Sequence, residues 1–236
     1  MRRGLPRGKD TYDARTRHIL MHVPSVESIL IFPCNGNGVE VLDCLNEHQR
    51  VVGFVDDTPE KQATQVHGIS VFGREAIARL ATCKVLAVPG SPSSFSGRGG
   101  LIGGLNVESS RFTTVIHRAA SISPLATIGF NVVIMAGVVV TSNAIIGNHV
   151  CILPNTVIHH DAVVGDWSLI GSNVSVAGGV SIGANCYIGS GSRIMNGIQV
   201  GGGALIGLGS NVIRSVAAGD RVAGNPARSL KKIDWK

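Results

Sequence analysis

Residues 146–170 read IGNHVCILPNTVIHHDAVVGDWSLI, with a branched aliphatic at every sixth place: Ile146, Ile152, Ile158, Val164 and Ile170. The phase extends well beyond this window. Stepping by six from Ile122 to Val212 meets sixteen positions, and every one is Ile or Val. Four residues after each comes a mostly small side chain, such as Ala126, Ala144, Ala162, Ser168, Cys186 or Ser210. Glycine often follows the aliphatic, as in IGNHV, IGSNV and IGANC. A helix repeats every ~3.6 residues and a simple strand every ~2, so neither keeps such a series in phase. The period describes a solenoid in which three hexapeptides close one triangular coil, each flat face sending one aliphatic inward. The small residue fits the corner, and the glycine is read as supplying turn conformations that other residues resist. The expected fold is a left-handed parallel β-helix over residues 117–218, of about five coils.

The texture before the repeat is different. SILIFP (28–33) and VVGFVDD (51–57) read as strands, and VEVLDCLNEH (39–48) between them reads as a helix. GISVFG, a helical EAIARLA and KVLAVPG follow, and FTTVIH (112–117) leads into the solenoid. Alternating strands and helices predict a small α/β, Rossmann-like N-terminal domain over 28–116. Residues 1–27 read as a flexible basic leader, and 219–236 as a tail that caps the open end of the solenoid.

The formal charge of +6 raises the possibility of nucleic-acid binding. Arg2, Arg3, Arg7, Lys9, Arg15 and Arg17 stand against Asp10, Asp13 and Glu27, so half of the excess lies in the leader. No basic face interleaved with aromatics follows, and nucleic acid is not an expected partner. No run of 18 apolar residues predicts a membrane span, and the start lacks the pattern of a signal peptide. Five scattered cysteines without metal-ligand spacing fit a reduced, cytoplasmic protein.

The segment His159-His160-Asp161 carries the strongest chemical signal. Neighbouring side chains on an extended strand point to opposite faces, so only one histidine serves a given site, and the repeat phase alone does not say which. A histidine near neutrality can accept a proton, and an adjacent carboxylate can fix its tautomer. Stacked coils place residues 18 apart above one another, so His160 lies between Ser142 and Gly178, and Asp161 beside Asn143. Gly178 and Gly179 then offer bare backbone near the base, for amide donors or a thin ligand arm. A zinc site would need His149, His159 and His160 to converge, and adjacent histidines on a strand rarely share one ion; no metal is expected. The loop CNGNG (34–38) partly matches a dinucleotide fingerprint, but the third glycine position is Val41. It reads as a phosphate cradle at a helix start, with a ligand-free tight turn as the alternative.

The hexapeptide repeat ending in AGNPAR (223–228), the strand–glycine-loop–helix, FVDD, VPG, VIHRAASISPLATIG and HHDAVVGDW together resemble the bacterial nucleotide-sugar N-acetyltransferases acting on 4-amino sugars, and the related sialic acid O-acetyltransferases. The resemblance spans residues 28–232. It implies an acetyl-CoA-dependent N-acetyltransferase of a nucleotide-linked 4-amino-4,6-dideoxy sugar in surface-glycan synthesis, working as a homotrimer with sites between subunits and no metal. It implies His160 as general base and Asp161 as the acid that raises its basicity. Asn35, Gly36 and Asn37 fall where that family contacts the sugar-nucleotide phosphates, Asp56 and Asp57 at its base and ribose contacts, and Gly90 at a further substrate contact. Leu169, Ser190, Gly207 and Leu208 align with acetyl-CoA contacts. From the residues themselves, Gly178 is added to the cofactor side, and Arg228, with Lys231 and Lys232, could meet CoA phosphates or be a solvated basic end. Two positions depart from the family: Leu169 stands where a histidine is common, and Asn37 replaces the loop histidine. A sugar O-acetyltransferase of the sialic acid type and a non-catalytic sugar-nucleotide scaffold stay open as alternatives.

Overall fold

The computed structural model describes residues 26–230. The predicted leader falls almost wholly outside them, as do Lys231 and Lys232. Strand β1 (Glu27–Phe32) leads through the CNGNG loop into a short helix α1 (Gly36–Glu40) and a 3-10 turn at Val41–Cys44. Strands β2 (Gln49–Val55), β3 (Gln65–Val66) and β4 (Ile69–Phe72), helix α2 (Glu75–Arg79), strand β5 (Lys84–Ala87) and helix α3 (Arg98–Gly103) follow. The sheet order is β3-β4-β2-β1-β5, parallel except for β3. Ile29, Leu30 and Ile31 are fully buried on both faces of β1, which explains a continuous apolar run where an exposed face would give alternation. The helix is shorter than VEVLDCLNEH suggests. The Glu27 amide donates to the His48 carbonyl at 2.7 Å, so sheet pairing claims the end of that segment.

From Val115 the chain winds into a left-handed parallel β-helix of two-residue strands. The first face stacks Ile122, Val140, Ile158, Val176, Ile194 and Val212. The second stacks Ile128, Ile146, Val164, Ile182 and Val200, and the third runs from Ile116 through Ile134, Ile152, Ile170, Ile188 and Ile206 to Val222. Every inward aliphatic of these stacks from Ile134 to Val212 is at most 2% exposed, and together they form one continuous core. An antiparallel strand, Ala227–Ser229, folds back on Arg221–Gly224 at the far end.

The glycines after the aliphatics have a different cause from the one the sequence suggests. None of Gly147, Gly165, Gly183 and Gly189 adopts a positive φ. A Cβ on Gly165 would instead lie 2.5 Å from the Ala184 amide nitrogen, and one on Gly189 2.7 Å from that of Leu208. These glycines permit close approach of successive coils. The left-handed residue is two places later, as at Asn173 (φ 55) and Asn185 (φ 57), and Asn tolerates the conformation well.

The α/β domain covers the third face: Val133, Met135, Cys151 and Leu169 share one core with Ile29, Ile31, Val41 and Leu86. Two polar side chains lock this joint. Asn131 accepts from the Ala87 amide (2.7 Å) and donates to the Ala87 carbonyl (2.8 Å), so its side chain stands in for the missing neighbour of edge strand β5. Arg98, fully buried, donates to the carbonyls of Pro89, His149 and Trp167 and thereby ties α3 to two coils. Burial lowers its pKa only to about 10, so the guanidinium stays charged. Because residue 131 has φ 53, glycine suits its backbone, and Asn131→Gly removes only the side-chain bonds. We expect this change to cost about 3 kcal/mol, from buried Ala87 groups left unpaired, read as a lower denaturant midpoint.

Candidate functional site

The corner between the first and second faces carries His159, His160 and Asp161. His160 Nδ1 lies 2.8 Å from Asp161 Oδ2, and Asn143 Nδ2, one coil away, donates to Asp161 Oδ1 at 3.0 Å. The hydrogen bond to His160 first, then that from Asn143, holds the Asp161 carboxyl below the usual carboxylate range. An ionised carboxylate only accepts, so Nδ1 carries a proton, and in the neutral imidazole Nε2 holds the lone pair. The stack expected from the 18-residue spacing is present: the Gly179 amide donates to the His160 carbonyl, and the Asp161 amide to that of Ser142. A Cβ on Gly178 would sit 2.6 Å from His160 Cε1 and Nε2, so the imidazole occupies the space that this glycine leaves. Gly178 is thus a seat for the ring. Both side chains stay more than half exposed, at 61% and 56%, so the pair can meet a ligand.

The loop residues gather elsewhere, on the α/β domain. A cavity of about 270 Å³ is lined by Asn35, Asp56, Asp57, Lys61 and Gly90, among others. Asn35 Oδ1 caps α1 by accepting from the Gly38 amide at 2.9 Å. A Cβ on Gly36 would meet nothing within 4 Å, so the chain itself does not demand glycine there. Asp57 is held by Arg74 through Nε (2.6 Å) and Nη2 (2.8 Å). Asp56 is buried and already committed: it accepts from the amides of Cys34 (3.0 Å) and Thr58 (2.9 Å) and from Lys61 Nζ (3.0 Å). The Thr58 and Lys61 contacts outweigh its burial and lower its pKa. Its role in this fold is to shape the loop and place the Lys61 ammonium at the cavity, a residue for which VDDTPEK gave no cue.

A second cavity, of about 160 Å³, joins Asn37, Gly90, Leu169, Gly171 and Tyr187 between the α/β domain and the third face. Leu169 is 5% exposed and packs on Gly90, whose Cβ would lie 3.0 Å from Leu169 Cδ1; Gly90 has φ 119. Ser190, Gly207 and Leu208 line the corner between the third and first faces, where Leu208 is 72% exposed. Ser190 Oγ accepts from the Ser172 amide at 3.0 Å. Arg228 is exposed on the terminal strand. Within one chain, therefore, His160, Asp161 and Gly178 share one corner, while Leu169, Ser190, Gly207 and Leu208 lie beyond the first face.

The third corner, between the second and third faces, gathers Asn131 and Trp167, which the sequence did not single out, around His149. His149 is buried there, its Nδ1 2.9 Å from Asn131 Nδ2, and packed edge-on by Phe112 and Phe130 with Trp167 parallel to it. It shares no corner with His159 or His160. Among the described residues no group of three His, Cys, Asp or Glu side chains is arranged to hold a metal ion, and no helix is long and apolar enough to cross a membrane. The available cue was spacing: Asn131, His149 and Trp167 are successive 18-residue neighbours, and Trp is an unusual left-handed corner residue.

Residues 125–160, 143–178 and 161–196 match the family model "Bacterial transferase hexapeptide (six repeats)". No curated protein matches the chain. The fold is that of the acetyltransferase domain of PglB from Neisseria gonorrhoeae (24% identity, 87% of this chain and 100% of that one, TM-score 0.73). It is equally similar to a histidine-to-asparagine variant of perosamine N-acetyltransferase from Caulobacter crescentus in complex with CoA and GDP-perosamine (23%, 88% and 97%, TM-score 0.75). WeeI from Acinetobacter baumannii matches at 24% identity over 86% of this chain and 99% of that one, with TM-score 0.72.

Burial, then the nearby Arg98 charge, depresses the His149 pKa from 6.5 to about 4. Between those values the unfolded chain binds a proton that the folded one refuses, so stability is lost as pH falls from about 6.5 to about 4 and this contribution levels off below. In His149→Asn, which keeps a residue suited to φ 59, that acid-dependent loss should shrink by about 3 kcal/mol, measured as the difference in urea stability of the two proteins across this range.

Proposed function

We propose that the chain is an acetyl-CoA-dependent N-acetyltransferase acting on the 4-amino group of a nucleotide-linked 4-amino-4,6-dideoxy sugar, with His160 as general base. The observation that carries the reading is the exposed His160–Asp161 pair, 2.8 Å apart and seated on Gly178. The hexapeptide-family match and the shared fold with proteins solved as a sugar N-acetyltransferase and with acetyl-CoA or GDP-perosamine support it. The amine nitrogen attacks the thioester carbonyl carbon while His160 Nε2 takes its proton. The tetrahedral intermediate expels the CoA thiolate, and the imidazolium returns the proton to sulfur. Asp161 orients the ring and stabilises the imidazolium. No covalent acyl-enzyme is required.

Substrate recognition falls to the cavity beside the CNGNG loop. Asn35, Gly36 and Asn37 would meet the sugar-nucleotide phosphates, together with Lys61. Asp57 and the loop held by Asp56 would meet the base and ribose. Leu169, Ser190, Gly207, Leu208 and Arg228 would line the CoA path. One chain keeps these groups away from His160, across the first face, so the reading requires a neighbouring subunit to close the site: a homotrimer, in which one subunit's corner faces another's third face. Surface-glycan synthesis in the cytoplasm is the setting that such a substrate implies.

The direct test is thiol release from acetyl-CoA with UDP-, GDP- and dTDP-linked 4-amino sugars, set beside hydroxy-sugar acceptors. Turnover confined to amino sugars supports the reading, and none with any acceptor overturns it. His160→Ala should lower kcat by about 10³-fold, and Asp161→Asn by less. Gly178→Ala should displace the exposed imidazole, reducing kcat strongly while leaving the melting temperature nearly unchanged. Light scattering should give a particle near three times the 24.5 kDa chain mass.

A further inference from the structure

The cleft between α3 and the corner that carries His149 has a volume of about 220 Å³ and is lined by Gly99, Gly103, Phe112, Phe130, His149 and Trp167, among others. Its hydrogen-bonding character can be fixed without ambiguity. The Ala87 amide can only donate and the Ala87 carbonyl only accept, so the orientation of the Asn131 side-chain amide is determined. Asn131 Nδ2 therefore points its second hydrogen at His149 Nδ1, which must accept. The imidazole is neutral, with its proton on Nε2, on the side of the ring away from Asn131. No hydrogen bond from Nε2 to a described residue is formed, although His149 is only 7% exposed. Nε2 is not fully enclosed: it is the one polar atom of this nine-tenths buried ring left to meet water or a ligand in the cleft.

We propose that this cleft is a second binding site, distinct from the His160 corner, for a neutral planar heteroaromatic ring whose acceptor takes the His149 Nε2–H. The walls fit that chemistry. Phe112, Phe130 and Trp167 supply aromatic surface around the donor. Helix α3 withholds side chains where the ring would lie: a Cβ on Gly103 would meet nothing within 4 Å, and one on Gly99 would be 3.6 Å from Trp167 Cδ2. The Arg98 guanidinium is fully buried with its three bonds on backbone carbonyls, so the His149 Nε2–H is the donor that the cleft offers. The volume suits one fused two-ring system of nucleobase size. The site does not depend on the proposed transferase activity, since none of its residues lies at the His160 corner or in the loop cavity.

The test uses the full chain with isoquinoline at pH 8, where the probe is neutral and bears one ring-nitrogen acceptor, and naphthalene as the same shape without it. Binding is followed through the ring ¹⁵N–¹H signal of His149 and the fluorescence of Trp167. We expect saturable binding of isoquinoline with Kd of about 1 mM or tighter, a downfield shift of the His149 Nε2–H, and naphthalene about tenfold weaker. Gly103→Leu, which places a good helix former in the empty space, should abolish both. Equal affinities of the two probes, or binding that survives Gly103→Leu, would overturn the proposal, as would the absence of a saturable shift at His149 with water as its only partner. The affinity ratio is read on the unmodified chain and does not require the variant to fold.

Discussion

The specific features of the solenoid follow from the contact distance between stacked coils. Parallel strands lie about 4.8 Å apart, so each backbone segment sits directly on the one 18 residues earlier, with register pairs such as Val139, Val157 and Ser175. At that spacing the corners leave no room for side chains at certain places. Gly165 and Gly189 occupy points where a Cβ would fall 2.5–2.7 Å from the next coil's backbone. The same rule creates columns of like position, and the chemistry is distributed by column. Asn143, Asp161 and Gly179 form one such column, and Ser142, His160 and Gly178 another.

The columns also explain how a long prism carries a second domain. Each flat face presents outward residues every 18 positions, and on the third face these are Val133, Cys151 and Leu169, apolar enough to serve as the floor of the α/β core. Apolar contact alone would leave the edge strand β5 with unmet amide and carbonyl groups. The Asn131 side chain meets both at Ala87, and the Arg98 guanidinium saturates three carbonyls where the loops converge. The joint is therefore specified by polar groups inside an apolar interface, where an unpaired partner is most unfavourable.

Much of this was legible in the sequence, and the misses have physical causes. The six-residue phase gave the solenoid, its faces and the neighbours of His160 and Asp161, because stacking converts sequence spacing into spatial contact. The glycines were visible but their reason was not: the pattern IG says that a small residue is required and does not distinguish φ from close approach. The helix after the CNGNG loop read long because periodicity does not register the claim of His48 by the Glu27 amide. For Asp56 the sequence carried no sign of its partners: its carboxylate is buried and accepts from Cys34, Thr58 and Lys61 at the edge of the loop cavity. Leu169 aligned with an acetyl-CoA contact in the sequence; the structure adds that it packs on Gly90 and lines the cavity there.

The sequence by itself determined the periodic half of the protein: a triangular prism with branched aliphatics inside, small corners, and a His-Asp pair at a named corner. It could do so because contacts there are local in a repeating frame, each residue meeting the one a fixed number of places away. Only the tertiary structure decided what lies between the two halves. The docking of the sheet on the third face, the tautomer and burial of His149, and the division of candidate ligand residues between two corners and a loop all depend on meetings between distant segments. Arg98 meets Trp167 and Ala87 meets Asn131. No periodicity relates those residues, so their pairing is settled by which buried polar groups find partners when the halves close.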